Sequence, residues 1–174
     1  MVQVQYSKIG TKDEQKNMMK YELKELPAFS VIGLEQILTN KKSQNLERCL
    51  SFWPAFNRQL KMNRLTQQKG NWTKFAFMER RAGQLYYYCG IPRPASVPAN
   101  FLVKEIPAGS YLVVEHRGSM DRIYVTYEEV YQELLPKLDL SLKQTSFLHF
   151  EKYGEKFHWN RENSVIEIWV PIIV

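Results

Sequence analysis

The sequence predicts an α+β fold in which two βαββ units share one antiparallel sheet and both helices pack on the same face of it. Two observations carry this. Residues 24–35, KELPAFSVIGLE, recur at an offset of 80 as residues 104–115, KEIPAGSYLVVE, with six identities in twelve positions and no gap. Each copy is then followed by a helical pattern and by two strand-like runs, so the order of elements repeats along with the residues.

The first helical pattern is Gln44–Met62, where Leu46, Cys49, Leu50, Trp53, Phe56 and Leu60 fall at spacings of three and four and make one apolar face. Pro54 lies inside it and is expected to kink or split the helix. Strands follow at Thr73–Glu79 and Leu85–Ile91, joined by RRAG, whose Gly83 suits a tight turn. The three prolines of residues 92–100 mark a linker between half-repeats, too short to separate independent domains. The second helical pattern is Thr126–Leu138, with Tyr127, Val130, Tyr131, Leu134 and Leu135 on one face. Thr126 and Glu129 form a capping-box signature, and Pro136 is expected to end or bend the helix. The closing strands are Phe147–Tyr153 and Val165–Val170, separated by the polar loop 154–164. Residues 19–174 therefore read as one domain of two repeats, about 19–92 and 100–174. Residues 1–18 read as an extension whose alternating Val2, Val4 and Tyr6 suit an edge strand.

Composition narrows the class. The chain has 174 residues, 44% of them hydrophobic and 13% aromatic, which excludes an intrinsically disordered protein. No apolar run approaches the roughly 18 residues of a membrane span, and the N-terminus lacks the apolar core of a secretory signal. The two cysteines, Cys49 and Cys89, have no CxxC spacing and suit a reducing compartment, so a cytoplasmic protein is expected. His116, His149 and His158 show no metal-ligand spacing, and no glycine-rich phosphate loop occurs, so neither a metal nor another cofactor is expected. The net charge of +6 is matched by residues 57–81 alone, which hold seven basic residues and one acid. Without a groove-entering motif this stretch reads as a solvated face, and direct nucleic-acid binding is not expected.

Alternation sorts the strands into faces. Ile166, Ile168 and Val170 are assigned to the helix-covered side, leaving Glu167 and Trp169 on the open one. In Phe147–Tyr153, Leu148 and Phe150 are assigned to the core, and Phe147, His149, Glu151 and Tyr153 to the open face. Leu85, Tyr87, Cys89 and Ile91 form one row of the first hairpin, and Tyr86 and Tyr88 belong to the other. Aligning Pro92 with Pro171 puts Tyr88 in the role of Glu167. The open face then gathers Tyr86, Tyr88, Phe147, His149, Tyr153 and Trp169 around two acids, Glu151 and Glu167. Such a face suits a flat apolar cation through stacking, cation–π attraction and an ion pair. It equally suits ordinary core aromatics with acids paired to surface cations, and the residues alone leave both open.

The K-E-[LI]-P-A repeats, Tyr111 with the HRGSMDRIYVTYEEVYQELLP run (116–136), and the FEKY…EIWVPI ending (150–172) resemble the GyrI-like effector-binding domain, the small-molecule module also fused to AraC-type and MerR-type multidrug regulators. The resemblance spans about residues 19–173. It implies an eight-stranded, curved antiparallel sheet with a ligand cleft on the pseudo-twofold axis, where a buried glutamate among aromatics recognises lipophilic cations. On this chain the matching positions are Glu151 for that acid, with Glu167 and Trp169 in the final strand. A DNA-binding domain is not found, so a stand-alone sensor or sequestering module is expected. The aromatic loop 154–164 is expected to cap or narrow the cleft.

Two further functions follow from the same resemblance. Some stand-alone GyrI-like proteins are similar to hydrolases that open electrophilic cyclopropyl groups of genotoxic natural products. In that case Glu151 would serve as general base, with Tyr153 or His149 polarising a carbonyl. Other members inhibit DNA gyrase, which would make the partner a protein.

Overall fold

A computed structural model describes residues 19–66 and 72–174. Residues 1–18, with the expected edge strand, and Lys69 of the basic stretch lie outside the described residues. The strands are β1 (Tyr21–Leu26), β2 (Phe29–Ile37), β3 (Lys74–Arg81), β4 (Gln84–Pro92), β5 (Leu102–Ile106), β6 (Gly109–Arg117), β7 (Ser141–Leu142), β8 (Phe150–Tyr153) and β9 (Val165–Ile173). They form one antiparallel sheet in the order β1-β6-β9-β8-β3-β4-β2-β5, with the two-residue β7 beside the end of β9. Helix α1 spans Lys42–Met62. A second helical stretch runs from Met120 to Lys137 as a 3-10 turn, α2 (Ile123–Glu128), a π turn (Glu129–Leu134) and α3 (Leu135–Lys137).

The repeated segment is not one strand but two, folded about Pro27 and Pro107. Proline has no N–H to offer a ladder, so each segment breaks there. The leading piece crosses to the other half: β1 pairs with β6, and β5 pairs with β2. The registers repeat the duplication. Lys24 faces Tyr111 and Lys104 faces Val31, each residue 80 from its counterpart. Val31 faces Pro92 and Tyr111 faces Pro171, so the two prolines are equivalent, as the sequence alignment expected. Gly33 lets β2 and β4 close up, because a Cβ there would lie 1.9 Å from the Cys89 carbonyl oxygen.

Several elements differ from expectation. Pro54 does not split α1, which continues through it; the carbonyl it leaves unbonded belongs to Leu50, itself 39% exposed to water. Thr126 is not an N-cap. The helix starts earlier, and the Thr126 hydroxyl instead lies 2.8 Å from Nδ1 of buried His116. The first hairpin turns at Ala82 and Gly83, both at positive φ. The strand expected from Phe147 begins only at Phe150, and Phe147 makes an isolated bridge to Glu79.

Both helical stretches lie on one face. Beneath α1 are Ile32, Ala76, Tyr87, Cys89, Ile91 and Ile166. Beneath the second stretch are Leu112, Val114, Ile168, Val170 and Ile172. On the opposite face the curled sheet closes on its own aromatics, among them Phe75, Phe77, Tyr88, Tyr111, Phe150 and Trp169.

Candidate functional site

The expected open face is therefore a core. Phe150 stacks on Trp169 at 5.6 Å and 12°, and Tyr88 stacks on Phe77 at 4.8 Å while its hydroxyl donates to the Leu102 carbonyl. Burying one such side chain is worth about 1.5–3 kcal/mol, so displacing several for a ligand is costly. Phe147 packs in the same cluster. Tyr86 lies under the Arg81 guanidinium, 3.9 Å away. Glu167 accepts from Trp169 Nε1 at 2.9 Å and pairs with Lys152 at 3.3 Å, the ordinary arrangement of a surface acid.

Glu151, Tyr153 and His149 are on the other side, among the helices. The eight residues assigned to one face thus divide five to three. The error lies in one strand. Strict alternation from Phe147 reverses β8, because the chain is not in the ladder at residues 148 and 149 and enters it with Phe150 facing the aromatic core.

Glu151 stands between Ala76 of β3 and Ile168 of β9, both fully buried. The alanine leaves room beside the carboxylate. Tyr127 of α2 donates its hydroxyl to one carboxylate oxygen and Tyr153 to the other. Tyr153 meets the edge of Trp53 at 5.0 Å, and Trp53 Nε1 donates to the Tyr87 hydroxyl at 3.0 Å. Tyr127 stacks on His149 at 4.6 Å, whose Nδ1 lies 2.7 Å from the Tyr131 hydroxyl. Among the described residues no Lys, Arg or His forms an ion pair with Glu151. It remains partly exposed.

Burial raises the Glu151 pKa despite the two hydroxyl donors, because the charged form loses hydration that they replace only in part. Burial holds His149 down to about 4, so the ring is neutral at physiological pH. The Cys49 thiol on α1 is pushed up to about 12 by burial and by the Glu151 charge. Tyr87, Tyr127 and Tyr153 are all raised, chiefly by burial, and stay protonated donors. The result is an acid among aromatic rings whose hydrogen-bonding partners, Tyr127 and Tyr153, are neutral.

Trp53, Tyr87, Tyr127 and Tyr131 were not expected at the site. The signal for two of them was present: Tyr127 and Tyr131 put hydroxyls on a helix face where leucines would suffice. On α1, Leu46 is 64% and Leu50 39% exposed along the stripe that carries Cys49 and Trp53. Loop 154–164 sets Phe157 edge-on to Tyr153 at 4.9 Å and Trp159 beyond it. Among the described residues no cluster of His, Cys, Asp and Glu is disposed to hold a metal, and no helix is long and apolar enough to cross a membrane.

A curled antiparallel sheet built from two repeats is the fold of an effector-binding domain. The chain matches the Cass2 family, described as integron-associated effector binding protein, over residues 22–172, and it belongs to that family. The GyrI-like fold expected from the sequence is the fold observed. The transcriptional regulator BrlR of Pseudomonas aeruginosa is 27% identical over 93 residues, 52% of this chain and 34% of that protein, so the likeness spans about a third of the relative. SAV2435, in a structure bound to tetraphenylphosphonium, superposes with a TM-score of 0.70 at 18% identity, covering 89% of this chain and 94% of that one. EcmrR, in a cryo-EM structure with DNA, superposes with a TM-score of 0.65 at 17% identity, covering 92% of this chain and 60% of that one. At these identities the two structures show the shared fold.

Proposed function

We propose that this protein binds lipophilic, cationic small molecules in the cleft between its helices, with Glu151 as the counter-charge, and acts as a sensor or sequestering module. The observation that carries this reading is the state of Glu151: a partly exposed carboxylate, raised in pKa by burial, with two tyrosine hydroxyls and no ion-paired cation among the described residues. A ligand cation supplies the missing partner, and Trp53, Tyr127 and Tyr153 supply ring surface for stacking and cation–π attraction. The tetraphenylphosphonium held by SAV2435 is a ligand of this kind on the same fold, which supports the reading. The likeness to BrlR and EcmrR supports a role as the effector-responsive part of a regulator or a relative of one.

The test is a calorimetric titration with tetraphenylphosphonium and with neutral triphenylphosphine oxide, followed by mass analysis of the recovered compounds. Saturable binding of the cation, weaker binding of the oxide and unchanged mass support the proposal. Equal binding of both overturns the cation preference, and a changed mass assigns the cleft to catalysis instead.

A further inference from the structure

A pocket of about 90 Å³ is walled by Trp53, Trp72, Tyr153, Phe157 and Trp159, with Lys74 and Asn57 also lining it. It shares Tyr153 with Glu151, whose carboxylate accepts from the Tyr153 hydroxyl. Lys74 pairs with Tyr153 and lies two residues from Ala76, the partner of Glu151. Lys74 and Glu151 are therefore diagonal neighbours on one face of the sheet, with Cα atoms about 7–8 Å apart. The Lys74 ammonium donates to Asn57 Oδ1 at 2.7 Å and sits 5.3 Å from the centroid of Trp72. It is partly buried, and among the described residues no carboxylate pairs with it. Burial lowers its pKa, as expected of an ammonium without a counter-charge.

We propose that the pocket is a second subsite for the anionic end of the ligand, so that the protein prefers flat aromatic zwitterions: the cationic end at Glu151, the carboxylate at Lys74, and the ring system between them against Trp53 and Tyr153. The inference rests on the reading of Glu151 as a cation site and adds the second charge. Among the described residues neither of these two opposite charges forms an ion pair, and a single molecule satisfies both. Each contact is charge-assisted and shielded by rings, which makes it stronger than the same contact on an open surface.

The probes are 6-(aminomethyl)-2-naphthoic acid and its methyl ester, which share ring and ammonium and differ in the carboxylate. Calorimetry on the full chain is expected to show the acid binding about tenfold more tightly than the ester, the scale of one charge-assisted contact. Lys74→Gln should bring the acid to the level of the ester and leave the ester unchanged, whereas Lys74→Arg should keep the preference. Glu151→Gln should weaken both compounds. Thermal melts of all variants establish that each is folded. If wild type binds the two compounds equally, or Lys74→Gln leaves the preference intact, the carboxylate subsite is overturned while the Glu151 reading stands. Binding of tetraphenylphosphonium with no binding of either probe overturns the subsite in the same way. If Glu151→Gln weakens neither compound, or nothing binds, the cation reading falls and this inference with it.

Discussion

Glu151 faces Ala76 across the β3–β8 ladder, and the two are counterparts within the duplication. Phe75 and Phe150, one position before each, likewise hold equivalent places, facing Gly90 and Trp169 in the hairpins β3–β4 and β8–β9. The pseudo-twofold axis thus passes between an alanine and a glutamate. One half supplies the charge and the other supplies the space, so an internally repeated fold carries one acid at its centre rather than two.

Replacing Glu151 by Gln keeps the volume and removes the charge. Binding of tetraphenylphosphonium is expected to weaken by about 1–3 kcal/mol, read by calorimetry. Glu167→Gln is expected to change it little, since that carboxylate belongs to the opposite face and already has Lys152. Loss of binding in Glu167→Gln alone would move the site to the other side of the sheet.

The same acid sets a pH dependence. The cation needs the carboxylate, whose pKa is raised in the free protein, so affinity should fall as pH drops through that raised value. Binding near it should release protons, visible as different apparent heats in phosphate and Tris buffers. Equal heats in both would show that Glu151 is already fully ionised there. Stability runs the opposite way. The native state holds its proton more tightly than the unfolded chain, so stability falls as pH rises from about 4.5 through the native value. Glu151→Gln lacks that fall, and its gain over wild type in urea melts should be larger at pH 8 than at pH 4.

His149 acts in the reverse direction. Its pKa is about 4 in the fold against an ordinary 6.5, so the unfolded chain binds the extra proton between those values and stability is lost as pH falls through that window. The loss is about 3 kcal/mol at its full extent. His149→Phe keeps a ring against Tyr127 and gives up the Tyr131 contact, at about 1 kcal/mol near pH 8. Its stability should vary less between pH 6.5 and pH 4, with a remaining slope from His116, which burial also lowers. An unchanged pH profile would refute the assignment.

Ala76→Glu places a second carboxylate opposite the first. Two acids in one cleft do not both ionise freely, so one pKa should rise strongly. Urea melts are expected to show a loss of a few kcal/mol at pH 8 that narrows at pH 4, about the scale of an uncompensated buried charge. A variant as stable as wild type at pH 8 would place Ala76 away from Glu151.

The regular parts of the site were legible in the sequence. Alternation along β4 and β9 sorted Tyr87, Cys89, Ile166 and Ile168 to the helix side and Tyr88, Glu167 and Trp169 to the other, because those strands are paired along their length. It failed for Phe150, Glu151 and Tyr153, where the chain joins the ladder late. Trp53 and Tyr87 were not assigned to the site for a different reason. Their bond spans 34 residues, and no local spacing announces it.

The sequence by itself determined the duplication, the equivalence of Pro27 with Pro107 and of Pro92 with Pro171, the element types and the presence of one α+β architecture, since repeats and periodicity are local records of backbone and burial. Only the tertiary structure decided that each leading strand crosses to the opposite half, that the aromatic face closes on itself, and that Glu151 sits among helices. Those outcomes depend on sheet curl and on contacts between distant segments. A carboxylate's surroundings are set by what folds over it, and period-two alternation along a strand carries no information about that.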